Sequence, residues 1–143
     1  YRLDEIRSAL GISQLQKLTM LNKKRLSAFH YYNKGLKNIP GLIVPNGKNF
    51  ENNSCHLYII RTTSDAKITR DGLFYGLQKK GIGSSVHYKP LHKFTLFRKK
   101  AISRNSLSVS KRIYKEILSL PMYPQLTRHS QDYVIKSIKN IFL

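Results

Sequence analysis

Between Gly81 and His92 the chain reads GIGSSVHYKPLH. Two imidazoles, a phenol and two hydroxyls fall in this stretch, with a glycine before them and Pro90 among them. His87 and His92 are five apart and could face one cavity if the chain turns at Pro90. His87 and Tyr88, as neighbours on a strand, would point to opposite sides of it. Three readings stay open on the residues alone. Zinc ligation is one, but His-x4-His fits no firm template and a lone cysteine elsewhere adds little. A Cys–His nucleophilic pair with Cys55 is another, without a local signature behind it. The third is a set of isolated structural residues.

The elements around this stretch follow from periodicity and caps. Residues 3–18 predict a helix, with Leu3, Ile6 and Leu10 on one face and Ile12, Leu15 and Leu18 continuing an apolar stripe. Asp4 and Glu5 suit its first turn. Thr19 is a candidate N-cap for a second helix reaching Lys37, with Leu26, Phe29, Tyr32 or Asn33, and Leu36 inward. Pro40-Gly41 stops it. A short strand is expected at 42–45, and a clearer one at 55–62, apolar on both faces and therefore internal to a sheet. Thr69 caps a helix to Lys80, with Leu73, Phe74 and Leu77 inward and Gly81 in left-handed C-cap position. The residues from Ile82 to Tyr88 predict another strand, ended by Pro90. An irregular basic stretch at 93–106, a helix from Ser106 or Ser108 to about Ile117, an extended LSLPMYP and a last helix capped by Thr127 complete the chain. Val134, Ile138 and Ile141 face inward on that helix. The order implies an α+β fold: a small three- to four-stranded sheet covered by helices and preceded by a long helical segment.

A chain of 143 residues fits one domain, and 41% hydrophobic content supports a core. Cys55 cannot form an internal disulfide, so a reducing, cytoplasmic setting is expected. No signal peptide or membrane-length apolar run is visible, and a soluble intracellular protein is expected. The first residue is Tyr1 rather than Met, which predicts a processed or truncated piece. Lysine and arginine number 26 against 7 acids, a formal charge of +19. Such a surface attracts polyanions or is simply solvated.

Several blocks, in order, resemble the C-terminal part of the DegT-type nucleotide-sugar aminotransferases, which are pyridoxal-phosphate enzymes of aspartate-aminotransferase fold type I. They are YRLDEIRSALGISQLQKL at 1–18, HLYIIR at 56–61, RDGLFYGLQKKGIGSSVHYKPLH at 70–92, EILSLPMYPQLT at 116–127 and QDYVIKSIK after it. The resemblance implies transfer of an amino group from an amino acid, typically glutamate, to a keto group on a nucleotide-linked sugar. It implies pyridoxal 5'-phosphate in the complete enzyme, a homodimer, and no membrane partner. It also implies that the cofactor-binding lysine lies upstream of this chain, since none of the lysines here matches that position. On this reading residues 1–38 are a helical linker to a missing cofactor domain, and 39–143 are the small C-terminal domain. His87 and Tyr88 are assigned to substrate contact and His92 to its support. Imidazole and phenol bond hydroxyls and phosphate oxygens, and ring faces pack on sugar C–H groups. Arg2, near the subunit boundary, is assigned to the cofactor side, its guanidinium suiting a phosphate or carboxylate.

Two departures from the family pattern are expected to lower stability. Arg128 and His129 open the last helix against its dipole. Gly72 and Gly76 weaken the third helix by about 1 kcal/mol each against alanine. Two other functions compete with the aminotransferase reading. A basic nucleic-acid-binding domain would use FRKKAISR at 97–104 with Lys111, Arg112 and Lys115, although no known nucleic-acid signature backs it. A degenerate remnant would bind a nucleotide-sugar without turnover.

Overall fold

The computed structural model describes residues 2–46, 53–98 and 106–142. Along the chain run α1 (Glu5–Leu36), β1 (Leu42–Ile43), β2 (Tyr58–Thr62), α2 (Arg70–Lys79), a 3-10 turn (Leu91–Lys93), α3 (Thr95–Arg98), α4 (Ser108–Glu116), β3 (Ile117–Leu120) and α5 (Arg128–Phe142). The fold is α+β, a small antiparallel sheet covered by helices after a long helical segment, as the sequence predicts.

One unbroken helix replaces the two expected before Pro40. Asp4 caps it, its Oδ1 accepting from the Arg7 N–H at 2.8 Å. Thr19 is interior rather than a cap. Leu18, Met20, Leu21, Lys23 and Lys24 around it are good helix formers, and each added residue gains a hydrogen bond once a helix has begun. Only the second half of α1 packs: Ala28, Phe29, Tyr32 and Leu36 are buried. Leu3, Ile6, Leu10, Ile12 and Leu15 stand 60–84% exposed.

The sheet order is β1-β2-β3, both pairings antiparallel, with Leu42 opposite Thr62 and Tyr58 opposite Leu120. β2 is central, as its two apolar faces predict. The third strand is not the expected one. Residues 82–88 contribute a single bridge, Ser85 to Ser119, and β3 takes the place beside β2. All four β3 side chains are buried, whereas Gly83 and Ser84 offer little to pack on a ladder.

Phe29, Tyr32 and Tyr58 stack at the centre of the core, with ring centroids 5.1 Å (Phe29–Tyr58) and 4.9 Å (Tyr32–Tyr58) apart. The Tyr58 hydroxyl donates to Asn33 Oδ1 at 2.7 Å, and Asn33 Nδ2 donates to the Pro45 carbonyl at 3.2 Å. The Tyr32 hydroxyl is buried without a hydrogen-bond partner among the described residues. Burial pushes both phenols above their ordinary pKa.

The departures from the family pattern have structural counterparts. Arg128 lies over the Tyr31 ring, 4.2 Å from its centroid, and donates to Ser27 Oγ at 2.7 Å and Gln131 Oε1 at 3.0 Å. Its charge thus ties α5 to α1 instead of only opposing the dipole. Tyr31 donates to Asp132 Oδ1 at 2.6 Å, which raises the phenol's pKa. A Cβ at Gly76 would sit 3.0 Å from Ile141 Cδ1, so the glycine lets α2 approach α5 closely. Gly81, at φ 71°, closes α2 as expected: its N–H donates to the Gln78 carbonyl and that of Ile82 to Leu77.

Candidate functional site

The Ser85 bridge brings the chemistry-bearing stretch onto the free edge of β3. Ser119 N–H donates to the Ser85 carbonyl at 2.8 Å, and Ser85 N–H returns to the Ser119 carbonyl at 3.2 Å. Past this anchor the chain leaves the ladder, and the His87–Tyr88 peptide is cis. His87 and Tyr88 were expected on opposite sides of a strand. Because residues 86–90 are not in a strand, both instead line one groove, their rings edge to face with centroids 4.8 Å apart. His87 Nδ1 lies 2.9 Å from the hydroxyl of buried Ser119. Tyr88 is 71% exposed, its phenol open to a ligand.

The groove holds about 790 Å³ between residues 87–91 and α4. α4 supplies Val109, Ile113 and Tyr114 as its second wall. That wall is held by an ion pair: Arg61 on β2 donates to Glu116 Oε2 through Nη2 at 2.6 Å and Nε at 3.0 Å. Tyr114 carries cations on its ring. Lys93 Nζ is 4.7 Å from the centroid and Arg70 Cζ 5.6 Å. Lys89 Nζ lies 5.1 Å from the Phe94 ring. A groove with apolar and aromatic walls and a cationic rim suits a ligand with both ring faces and negative charge.

Not every assigned residue converges here. His92 sits on the 3-10 turn and does not line the groove; its Nε2 is sheltered with no hydrogen-bond partner among the described residues. Arg2 precedes α1 and is exposed. Glu5 and Ala28 are separated by 23 helical steps, about 35 Å of helix axis, so Arg2 stands far from the packed body. The described residues close no cradle of amides and cations around a cofactor phosphate. Cys55 is 2% exposed in the core, and burial raises its thiol pKa, the reverse of an activated nucleophile. No metal-binding cluster of His, Cys, Asp or Glu occurs among the described residues. Residues 99–104 of the basic stretch lie outside them. No helix among them is long and apolar enough to cross a membrane.

Tyr114 and Ser119 were not singled out from the sequence. Ser119 left a faint signal, the lone polar residue in ILSL. Tyr114 left none, because its cations come from residues 21 and 44 positions away in the chain.

The model of the DegT/DnrJ/EryC1/StrS aminotransferase family matches residues 1–139. An uncharacterized protein of Methanocaldococcus jannaschii, MJ1066, is 32% identical over 99% of this chain and 37% of its own. The UDP-4-amino-4,6-dideoxy-N-acetyl-beta-L-altrosamine transaminase of Campylobacter jejuni is 32% identical, again over 99% and 37%. Among solved structures, the aminotransferase PseC of Helicobacter pylori, involved in pseudoaminic acid biosynthesis, superposes with a TM-score of 0.86 at 29% identity, covering 99% of this chain and 38% of that one. The PLP form of the sugar aminotransferase Spr1654 from Streptococcus pneumoniae gives 0.85 at 25%, covering 98% and 36%. This chain therefore spans little more than a third of the length of the relatives it matches. With the ordered sequence blocks, the matching fold and the family model in agreement, the chain belongs to the DegT/DnrJ/EryC1/StrS aminotransferase family.

Proposed function

We propose that these residues form the C-terminal domain of a pyridoxal-phosphate-dependent aminotransferase. It would move an amino group from an amino acid, glutamate, to the keto group of a nucleotide-linked sugar during polysaccharide or antibiotic-sugar biosynthesis. The complete enzyme would be a homodimer. The observation that carries this reading is the groove itself: His87, Tyr88 and Lys89 line it across from Tyr114 of α4, whose ring carries Lys93. His87 and Tyr88 would bond sugar hydroxyls, Val109 and Ile113 would pack on C–H groups of the ring, and Lys89 would attract the diphosphate. His92 would support this wall from the turn behind it. Arg2 would meet the cofactor phosphate or its surroundings at the far end of α1. The cofactor's cradle and its lysine would lie outside the 143 residues, and this piece alone would not transaminate.

The test is intact-mass analysis of the protein as its host makes it, before and after borohydride reduction. A longer polypeptide that gains a reduced cofactor adduct, mapped outside residues 1–143, is the expected outcome. A mature polypeptide of these 143 residues alone, without an adduct, would overturn the enzyme reading.

A further inference from the structure

We propose that Ser119 is the positioning residue for His87, and that its hydroxyl leaves His87 free to present either a donor or an acceptor to a hydroxyl-bearing ligand. The inference rests on the reading that His87 contacts the sugar. β3 is buried along its whole length, and Ser119, at 4% exposed, is its one polar side chain. A buried hydroxyl without a partner is costly, and His87 Nδ1 at 2.9 Å supplies that partner. Ser119 is itself firmly held: it pairs with Ile59 on one side and exchanges both backbone hydrogen bonds with Ser85 on the other. The ring of His87 is therefore fixed through Nδ1, and Nε2 is its remaining polar atom.

The choice of partner has a chemical consequence. A carboxylate beside Nδ1 would hold the proton there and leave Nε2 only an acceptor. A serine hydroxyl both gives and takes a hydrogen bond. The neutral ring can thus carry its proton on either nitrogen without turning. Sugar hydroxyls, which donate and accept, need such a reader. Behind the ring, a cavity of about 300 Å³ with Leu57, Leu120 and Met122 in its wall also meets His87 and Ser119, and the sheltered Ser84 hydroxyl beside it has no hydrogen-bond partner among the described residues.

The experiment is nitrogen-resolved NMR of the His87 ring in the full chain, for wild type, Ser119→Ala and Ser119→Thr, with a UDP-linked sugar as probe. The wild type should show one ring orientation with Nδ1 against Ser119. Ser119→Ala should release the ring and weaken probe binding about fivefold, the size of one ordinary hydrogen bond. Ser119→Thr, which keeps the hydroxyl, should restore both. An unchanged ring orientation in Ser119→Ala would overturn the proposal. If that variant does not fold, the wild type decides: a slowly exchanging Ser119 hydroxyl proton in contact with the ring supports the proposal, and its absence overturns it. A released ring together with no probe binding by the wild type would uphold the positioning role and sink the substrate reading of His87 instead.

Discussion

Replacing Gly35 by alanine sets two effects of known size against each other in one helix. Alanine in a helix interior is favoured over glycine by about 1 kcal/mol. At Gly35 the new Cβ would lie 2.5 Å from Ile135 Cδ1, 3.1 Å from Cγ1 and 3.2 Å from Cγ2. Three atoms of one side chain are involved, so turning Ile135 to another rotamer relieves one contact and keeps others. Ile135 is 8% exposed and has little free space to enter. Overpacking of this kind costs about 1–3 kcal/mol. The net expectation is a loss of about 1 kcal/mol. Gly11, in the same helix, is the internal reference, since its Cβ would meet nothing within 4 Å. Gly11→Ala should stabilise α1 by up to about 1 kcal/mol. Urea unfolding followed by helical circular dichroism would compare the two, and their difference, about 2 kcal/mol, isolates the α1–α5 contact. Equal stabilisation by both substitutions would refute the close crossing.

Tyr58→Phe should cost about 1 kcal/mol through the lost bond to Asn33, whereas Tyr32→Phe, which removes a buried hydroxyl without a hydrogen-bond partner among the described residues, should be neutral or stabilising; urea midpoints distinguish them. Both phenols are held protonated by burial above their ordinary pKa, while unfolded phenols ionise near pH ~10. The stability they confer is complete below that pH and is lost as pH climbs towards the folded values, so midpoints should fall above about pH 10 and fall less steeply in the double Phe variant. Glu116→Gln should cost about 1–3 kcal/mol by breaking the Arg61 pair, with faster amide exchange along α4; unchanged exchange there would mean the pair does not hold the groove's second wall.

Caps and turn residues made α2 readable almost to the residue, because Thr69 and Gly81 act on their immediate neighbours. Thr19 has a capping side chain yet sits inside α1, because a capping residue type carries weight only where a helix has reason to stop. The strand expected at 82–88 shrinks to one bridge for the opposite reason. Its residues permit a strand, but they meet the sheet only at its outer edge, through the Ser85–Ser119 bridge to β3, and that meeting is between segments some 35 residues apart. The groove was half legible. His87 and Tyr88 announce themselves by type and by family resemblance. Tyr114 and Ser119 acquire meaning only when α4 and β3 are brought against them, and no local pattern encodes that.

The long helix also works as a lever. Its bearing is the crossing at Gly35 and Ile135, and its first residue, Glu5, lies 30 residues away, about 45 Å at helical rise. Each degree of tilt at the bearing swings the far tip by about 0.8 Å over that arm length. A tilt of about three degrees at that crossing would move the tip by about 2.4 Å over this arm. The exposed apolar half of α1 is thus aimed, relative to the groove, by how α1 seats on α5, through the Gly35–Ile135 contact together with the Arg128–Ser27 and Tyr31–Asp132 bonds.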